Sequence, residues 1–283
     1  MIVVRTVADL RAALRERRAG SIGLVPTMGA LHEGHATLLR AARADNDTVV
    51  MTIFVNPAQF NEQADLAAYP RTEEADLAVA ETEGVDIVFA PDADEVYPRG
   101  FATTVSVTGP IAETLEGAER GRAHFDGVAT VVTKLLLAAL PDAAYFGAKD
   151  AQQVAVLRRL TADLNVPVEL VVCPTSRDDD GLARSSRNAR LSPDERVRAR
   201  AIPRALQAVT DAAASGIRDS RGLRDRALDV LAEGMIALEY VAFVDPETFE
   251  PIHQVDRPTL VAIAARVGAT RLIDNTVIDA GGA

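Results

Sequence analysis

Short β-branched runs alternate with longer amphipathic segments along the first two-thirds of the chain. Runs typical of strands lie at 22–25, 48–55, 85–90, 144–146 and 168–173, and helical periodicity covers 35–44, 72–83, 127–140 and 151–164. Thr6 and Asp9 have the spacing of a helix N-cap, and the apolar face of that helix continues at Leu10 and Leu14. Strands alternating with helices of this length predict a mostly parallel sheet covered on both faces, an α/β doubly wound fold.

The pattern changes after Cys173. Residues 174–186 are polar, and we interpret the three aspartates at 178–180 as a solvated loop. Ser192 and Pro193 then have the composition of a helix start, helical composition continues to about 238, and strand-like runs follow at 240–244, 259–264 and 270–274. This shift predicts a second, smaller α+β domain. We place the boundary within 174–187 and assign residues 1–175 and 176–283 to the two domains.

Composition narrows the possible partners and the compartment. The 283 residues include 30 Lys+Arg and 41 Asp+Glu, a net charge of −11, which makes non-specific binding to nucleic acid or to an anionic membrane a poor expectation. The single cysteine, Cys173, allows no intramolecular disulfide and is expected to be buried. The sequence shows neither a signal peptide nor an apolar run near the roughly 20 residues of a membrane span, so we expect a cytoplasmic protein.

The segment 26–35 reads PTMGALHEGH and follows the first strongly buried strand. Gly29 and Gly34 allow the backbone to approach a ligand closely, and N–H groups at a helix start attract phosphate. His32 and His35 are three residues apart, so they share one face if the helix has begun by His32, and two imidazoles there suit negative charge that develops on a phosphoryl group. A metal-binding pair and a pair of structural histidines are the alternatives, although the spacing is not that of HExxH.

Further polar groups follow other strand-like runs. Lys149 follows one of them and could meet phosphate as a point charge, while Ser185, Ser186 and Arg187 form a possible phosphate clamp. Asn56 and Gln59 carry neutral amides that could orient a small polar substrate, and Gln153, one helical turn after Lys149, would point the same way as that lysine. Taken singly, each has an ordinary alternative: an exposed ion pair, a capping turn, an Asn-Pro turn or a solvated helix face. Their convergence at strand ends predicts a crevice for nucleotide phosphate.

Seven segments, in one order along almost the whole chain, resemble the pantothenate synthetase family. They are PTMGALHEGH at 26–35, FVNPAQF at 54–60, YPRT at 69–72, HFDGV at 124–128, FGAKDAQQ at 146–153, GLARSSRN at 181–188 and TRLIDN at 270–275. The HEGH segment also resembles the HIGH motif of the wider nucleotidyltransferase superfamily. The resemblance implies a Rossmann-like N-terminal domain with a C-terminal lid. It implies a homodimeric ligase that uses ATP with Mg²⁺ to join pantoate to β-alanine through pantoyl adenylate, releasing pyrophosphate and AMP.

The resemblance also implies roles for individual residues. Catalytic roles fall to His35, His32 and Lys149, with His35 at the position of the family's proton donor. Gln59 and Gln153 are implied to bind pantoate, with Gln59 also near β-alanine, and Asn56 belongs to the same substrate-binding group. No motif of the protein provides a metal site. The residues implied to bind ATP are Met28, Gly29, Ala30, Leu31, His32, Glu33, Gly34, His35, Gly147, Ala148, Lys149, Asp150, Ser176, Arg184, Ser185, Ser186 and Arg187. We expect the segment 176–187 to close over ATP.

The chain departs from the family pattern at three places. Arg184 stands where the family usually has Met or Leu, and Ala148 stands where it usually has Glu. The segment 120–125 is one residue longer than the family's RPGHF, so either Arg120 or Arg122 takes the family arginine's role.

Two other functions remain open from the residues. One is a nucleotidyltransferase that moves AMP or CMP onto a phosphate-bearing acceptor, and the other is a nucleotide-binding regulator without catalysis. The neutral amides of Gln59 and Gln153 favour a hydroxy-carboxylate over a phosphomonoester, and the intact His32, His35 and Lys149 favour catalysis.

Overall fold

The computed structural model describes residues 1–61 and 63–279, which form two compact units. The first unit comprises Met1–Ala148 and Val156–Pro174. The second comprises Lys149–Ala155 together with the chain from Thr175 onward.

A six-stranded parallel sheet forms the centre of the first unit, in the order β1-β4-β3-β2-β5-β6. Its strands are β1 (Ile2–Val4), β2 (Ile22–Val25), β3 (Thr48–Thr52), β4 (Ile87–Phe89), β5 (Ala143–Gly147) and β6 (Glu169–Cys173). From β2 the chain builds outward through β3 and β4 on one side, and then returns to add β5 and β6 on the other. The predicted doubly wound sheet is therefore confirmed. Its strand order reverses between β2 and β5, where open α/β sheets bind ligands.

The helices of the first unit connect these strands. They are α1 (Val7–Arg15), α2 (Glu33–Asp45), α3 (Gln63–Ala68), α4 (Glu73–Thr82), α5 (Ala93–Val96), α6 (Pro110–Glu113), α7 (Glu116–Arg120), α8 (Arg122–Ala139) and α9 (Ala151–Asp163), of which α9 begins in the second unit. Thr6 caps α1 as predicted, its hydroxyl accepting from the N–H of Asp9 at 3.0 Å. The strand β1 and the short helices α3, α5, α6 and α7 were not predicted, because three to six residues are too few to display a period.

The central strands are buried along their full length. Every residue of β2, β3 and β4 is buried, as expected where helices cover both faces of a parallel sheet. Cys173, at the end of β6, is also buried as predicted, and burial raises the pKa of its thiol. These strands form a fixed frame for the loops that follow them.

The second unit packs three helices and an antiparallel sheet in the order β7-β8-β9. Its elements are α10 (Pro193–Ala199), α11 (Ala201–Ala214), α12 (Ser220–Glu233), β7 (Ala237–Val244), β8 (Thr259–Val267) and β9 (Thr270–Ile278). Ser192 and Glu195 form the capping box of α10, which confirms the predicted helix start. The core includes Ile202, Leu223 and Ile263. The strands β7, β8 and β9 are three or four residues longer than predicted. Charged residues such as Glu239 and Arg266, which pair on the outer parts of the strands, interrupt the alternation from which strands are predicted.

The interpretation of residues 178–180 as a solvated loop holds for the turn and for the exposed Asp179, but not for Asp178 and Asp180, which form ion pairs. Arg177 and Ala183 pair as an antiparallel bridge, and the turn between them passes through Gly181 with a φ of +87°. The guanidinium of Arg196 lies 2.8 Å from a carboxylate oxygen of Asp178 and 2.8 Å from one of Asp180. Asp178 and Asp180 therefore hold a tight hairpin by ion pairing.

Within residues 1–61 and 63–279, no helix combines the length and apolar character needed to cross a membrane.

Candidate active site

A buried carboxylate fixes the turn between β2 and α2. Gly29 and Ala30 have φ values of +77° and +51°, so the backbone passes through the left-handed region twice in succession. The carboxylate of Asp76 accepts from the N–H of Ala30 at 3.0 Å and from the N–H of Leu31 at 2.7 Å. Asp76 is only 1% exposed. These bonds compensate its burial and fix the turn.

Two histidines cap the helix that this turn starts. His32 is the N-cap of α2, and its Nδ1 accepts from the N–H of Gly34 at 3.1 Å. The Nδ1 of His35 accepts from the N–H of His32 at 3.2 Å, and the two ring centroids are 4.2 Å apart. An Nδ1 that accepts carries no proton, so in each neutral ring the proton is on Nε2. The pair combines a structural role at Nδ1 with a donor at Nε2.

The backbone amides of the same turn are largely used within the protein. In addition to the bonds above, Gly29 donates to the hydroxyl of Thr27, and the N–H groups of His35 and Ala36 donate to the carbonyl of His32. The expected phosphate cradle of backbone N–H groups is therefore mostly filled by internal partners. Besides these amides, the two imidazoles are the further hydrogen-bond donors of this turn.

The structure brings no third metal-ligating side chain of the described residues to the histidine pair. Over the described ranges 1–61 and 63–279, no three His, Cys, Asp or Glu side chains come together in a way that could hold a metal ion.

Asn56 is a buried support rather than an exposed ligand group. It is 1% exposed, and its Oδ1 accepts from the N–H of Ala58 and the hydroxyl of Tyr97, at 3.2 and 2.7 Å. Its Nδ2 donates to Oε1 of Gln59 at 3.0 Å and to the carbonyl of Gly127 at 3.1 Å. These four bonds use the whole hydrogen-bonding capacity of the amide. Asn56 therefore orients Gln59. Its partner Tyr97 is itself half-buried, and this burial raises the pKa of the phenol to about 12.

Gln59 lies beside the turn that follows β2. Its Nε2 is 3.2 Å from Sδ of Met28, and its backbone carbonyl is 2.8 Å from Nδ1 of His124. Met28 and Gln59 are 31 positions apart in the sequence, yet they meet because their parent strands β2 and β3 are neighbours. Two residues that the sequence predicts for ATP and pantoate are thus in contact.

In the second unit, a recess brings together another group of predicted residues. Lys149 lines it with Ser185, Arg187 and Asn188, and so does Arg271, for which the sequence predicted no role. Lys149 is held there because Nδ2 of Asn275 donates to its carbonyl at 2.8 Å. The residues 270–275 belong to a motif that was recognised in the sequence, and this motif was the available signal for Arg271.

The charge of this recess is predominantly positive. Asp274 also lines it, but Arg177 donates to both of its carboxylate oxygens, at 2.6 and 3.0 Å. The side chain of Lys149 is 16% exposed, and its Nζ is 4.0 Å from the carboxylate of Asp150, an exposed residue. Arg271 is in turn paired with Glu239 at 2.6 Å, so Lys149 and Arg187 are the cations of the lining that suit an anionic ligand.

Four further predicted residues are half-buried. Arg184 donates from Nε to the carbonyl of Arg177 at 3.1 Å, and its N–H bonds to the carbonyl of Ser176 at 2.9 Å, so it belongs to the hairpin. Gly147 ends β5, and Ala148 begins the single 3-10 turn that follows. Gln153 is half-buried on the first turn of α9.

The two candidate arginines for the family role have different partners. Arg120 donates to the carboxylate of Glu116 at 3.0 Å, and Arg122 donates to the hydroxyl of Ser106 at 3.3 Å. Arg120 ends α7 and Arg122 begins α8, with Gly121 between them at a φ of +75°. The choice between them stays open.

Comparison with known proteins gives consistent matches along the whole chain. The family model described as pantoate-beta-alanine ligase matches residues 2–277. A pantothenate synthetase from Roseiflexus sp. (strain RS-1) is 52% identical over 281 residues, covering 99% of this chain and 100% of that protein.

Solved structures agree with the sequence matches. The crystal structure of pantothenate synthetase from Thermus thermophilus has a TM-score of 0.92 at 46% identity, covering 98% of this chain and 99% of that one. A pantoate-beta-alanine ligase from Francisella tularensis, complexed with beta-gamma ATP and beta-alanine, has a TM-score of 0.80 at 32% identity, covering 98% and 97%.

Proposed function

The chain belongs to the pantoate-beta-alanine ligase family, and from that premise we propose that it condenses pantoate with β-alanine through pantoyl adenylate, releasing pyrophosphate and AMP. The observation that carries the proposal is the family match over residues 2–277. The pair of Nε2–H donors at the start of α2, beside the point where the strand order reverses, adds the chemistry that adenylation needs.

In the first half-reaction, a carboxylate oxygen of pantoate attacks the α-phosphorus of ATP. The bond from that phosphorus to the bridging oxygen breaks, and pyrophosphate leaves with the electron pair. The nucleophile is already an anion at neutral pH, so the step needs no general base. His32 and His35 donate from Nε2 to phosphate oxygens as charge develops on them, and His35 acts mainly through hydrogen bonding and electrostatics.

In the second half-reaction, the neutral amine of β-alanine attacks the acyl carbon of the adenylate. The C–N bond forms, the amine gives up a proton, and the C–O bond to AMP breaks. Gln59, oriented by Asn56 and in contact with Met28, binds pantoate near the β-alanine site. Gln153 supplies the second amide for pantoate, and these neutral groups suit a hydroxy-carboxylate better than a phosphomonoester.

The phosphates of ATP also need positive charge, and the second unit offers it. Lys149, Ser185, Ser186 and Arg187 supply this charge and hydrogen bonding in the proposal, supported by the shared recess that Lys149, Ser185 and Arg187 line. Mg²⁺ would enter with ATP, held mainly by phosphate oxygens and water, and would neutralise phosphate charge.

The family resemblance supports the rest of the proposal. It comprises domains at 1–175 and 176–283, closure of the segment 176–187 over ATP, a homodimer and a cytoplasmic location. Sedimentation equilibrium would test the dimer. Hydrogen exchange with and without ATP plus pantoate would test closure, and equal exchange of 176–187 in both conditions would contradict it.

The experiment that tests the reaction uses pantoate labelled with ¹⁸O in its carboxylate. We expect exchange of labelled pyrophosphate into ATP with pantoate alone, and transfer of one ¹⁸O into AMP once β-alanine is added. Label found in inorganic phosphate, with ADP as product, would replace the adenylate by an acyl phosphate. Transfer of AMP or CMP to a phosphate-bearing acceptor, without pantoate-dependent exchange, would instead support the nucleotidyltransferase.

A further inference from the structure

Asp76 is a buried acid that the sequence analysis did not select. It is the fourth residue of α4, within the acidic first turn formed with Glu73 and Glu74. In sequence it resembles an ordinary acid placed near a helix N-terminus, where the helix dipole favours negative charge. In the structure it is 1% exposed, whereas an acid that serves only the dipole normally faces solvent.

Three donors from two separate segments converge on this carboxylate. The N–H groups of Ala30 and Leu31 reach it from the turn after β2, at 3.0 and 2.7 Å, and the hydroxyl of Thr72 reaches it at 3.2 Å from the start of its own helix. A Cβ built on Gly29 would lie 2.8 Å from Oδ2 of Asp76. The carboxylate therefore sits directly against the backbone of the turn, and only glycine at 29 leaves room for it.

The fixed turn leads directly to the histidine pair. Leu31 precedes His32, whose own N–H is the donor to Nδ1 of His35. The position of that N–H depends on the left-handed conformation of Ala30, which costs free energy unless its surroundings hold it. Asp76 provides the hydrogen bonds that hold it.

We propose that Asp76 is a positioning residue for the adenylation step, which sets the orientation of the His32 and His35 rings through the backbone of residues 29–32. The effect on catalysis rests on the proposed function, whereas the orientation of the two rings does not. By occupying the amides of Ala30 and Leu31, the carboxylate removes them as phosphate ligands and leaves the contact to the Nε2–H groups. Correct placement of those rings then becomes essential to the rate.

The primary test is a double-mutant cycle on pantoate-dependent exchange of pyrophosphate into ATP. Asp76→Asn keeps the size of the side chain but turns one acceptor into a donor that faces other donors. We expect kcat for exchange to fall about 100-fold with a smaller change in the KM for ATP. In a His35→Ala background the same substitution should cost clearly less than about 100-fold, because one of the two rings through which it acts is absent. An equal cost in both backgrounds would overturn the proposal.

A second readout does not depend on activity. The ¹⁵N resonances of the imidazole rings report which nitrogen carries the proton and how well the ring is held. We expect Asp76→Asn to shift or broaden the resonances of His32 and His35. Unchanged resonances would overturn the proposal, and this holds even if the wild-type chain shows no pantoate-dependent exchange and the proposed function fails.

Matched variants separate positioning from stability. Asp86 also accepts from a backbone N–H, that of Val49 at 2.9 Å, and it pairs with Arg43 at 2.8 Å. Asp86→Asn should lower the unfolding temperature while exchange by the folded protein is retained. If Asp76→Asn does not fold, Thr72→Val, which removes one donor, replaces it, with Thr72→Ser as the rescue. Ring resonances that move in Thr72→Val and return in Thr72→Ser support the proposal, and identical resonances in both overturn it.

Discussion

The side-chain amide of Asn56 donates to the backbone carbonyl of Gly127, 3.1 Å away, and so fastens the turn that carries Gln59 to helix α8. The contact is close because Gly127 has no side chain. A Cβ built there would lie 2.3 Å from the carbonyl oxygen of Ala58 and 2.8 Å from the backbone nitrogen of Gln59. Since both neighbours are backbone atoms, neither could move aside without moving the turn.

Gly127→Ala should therefore impair pantoate binding as well as stability. We expect the KM for pantoate to rise about tenfold as Gln59 is displaced, and the free energy of unfolding to fall by about 1–3 kcal/mol from overpacking. Steady-state kinetics and urea unfolding measure the two effects. Gly222→Ala in α12 is the control, because its Cβ would be 3.4 Å from Ile217, and it should be neutral or slightly stabilising. An unchanged KM in Gly127→Ala would show that Gln59 does not depend on this packing.

The two functions of His32 can be separated by His32→Asn. Asparagine is a good N-cap, so its side-chain oxygen can replace Nδ1 as the acceptor for Gly34 while the Nε2–H donor is lost. We expect stability close to that of the wild type and pantoate-dependent exchange reduced about 10²–10³-fold, the usual cost of one donor to a developing oxyanion. Thermal unfolding and exchange kinetics make the comparison. If His32→Asn exchanged pyrophosphate into ATP at the wild-type rate, the role of His32 would be limited to capping α2.

Most of the sheet could be predicted because buried parallel strands are nearly continuous apolar runs. The strand at 22–25 was placed with its observed bounds, and that at 168–173 with an error of one residue. The strand β1 was missed because only three residues form it, next to β4 at the sheet edge. The sheet of the second unit was predicted too short, since charges that pair across its strands, such as Glu239 with Arg271, interrupt the alternation.

Site residues could be predicted where the residue type itself indicates the chemistry. His32, Gln59 and Lys149 carry groups that suit phosphate or a hydroxy-acid, and they follow strands. Asp76 was not predictable in the same way, because its importance lies in which backbone N–H groups reach it across 45 and 46 positions of sequence. The ion pairs of Asp178 and Asp180 were missed for the same reason, since their partner Arg196 lies in a different element.

The phenol of Tyr97 predicts a loss of stability in alkali. Burial raises its pKa to about 12, whereas the unfolded chain ionises it near pH 10. The folded state therefore retains a proton that the unfolded state loses. Its contribution to stability is present below about pH 10 and decreases as the pH rises toward 12, at up to about 1.4 kcal/mol per pH unit.

Tyr97→Phe isolates this contribution, because every other titrating group is common to both proteins. The difference in unfolding free energy between wild type and variant, measured in urea from pH 8 to 11, should be constant up to about pH 9.5 and shrink above it. A difference that stays constant to pH 11 would show that Tyr97 ionises equally in both states.

The ion pair between Arg177 and Asp274 should stabilise the second unit strongly. Asp274 is 3% exposed and receives both guanidinium nitrogens of Arg177. Arg177→Ala leaves this carboxylate buried without its cation, so we expect a loss of about 3 kcal/mol. The exposed pair of Arg159 and Asp163 is the control, and Arg159→Ala should leave stability nearly unchanged. Hydrogen exchange of residues 175–185 reports the effect locally, and equal protection in both variants would contradict the prediction.

Arg184 departs from the family's usual Met or Leu, and its contacts predict that the departure serves the hairpin rather than the nucleotide. Its Nε donates to the carbonyl of Arg177 at 3.1 Å and lies 3.3 Å from the carboxylate of Asp178, which Arg196 also holds. Arg184→Leu should therefore leave the KM for ATP within about twofold and lower the free energy of unfolding by no more than about 1 kcal/mol, because Arg196 still neutralises Asp178.

Arg187→Leu, by contrast, should raise the KM for ATP about tenfold or more, since Arg187 lines the cationic recess with Lys149. Kinetics of pyrophosphate release at varied ATP compare the two variants. A tenfold rise in Arg184→Leu would mean that the guanidinium leaves Asp178 to bind phosphate, and the hairpin would then be part of the ATP site.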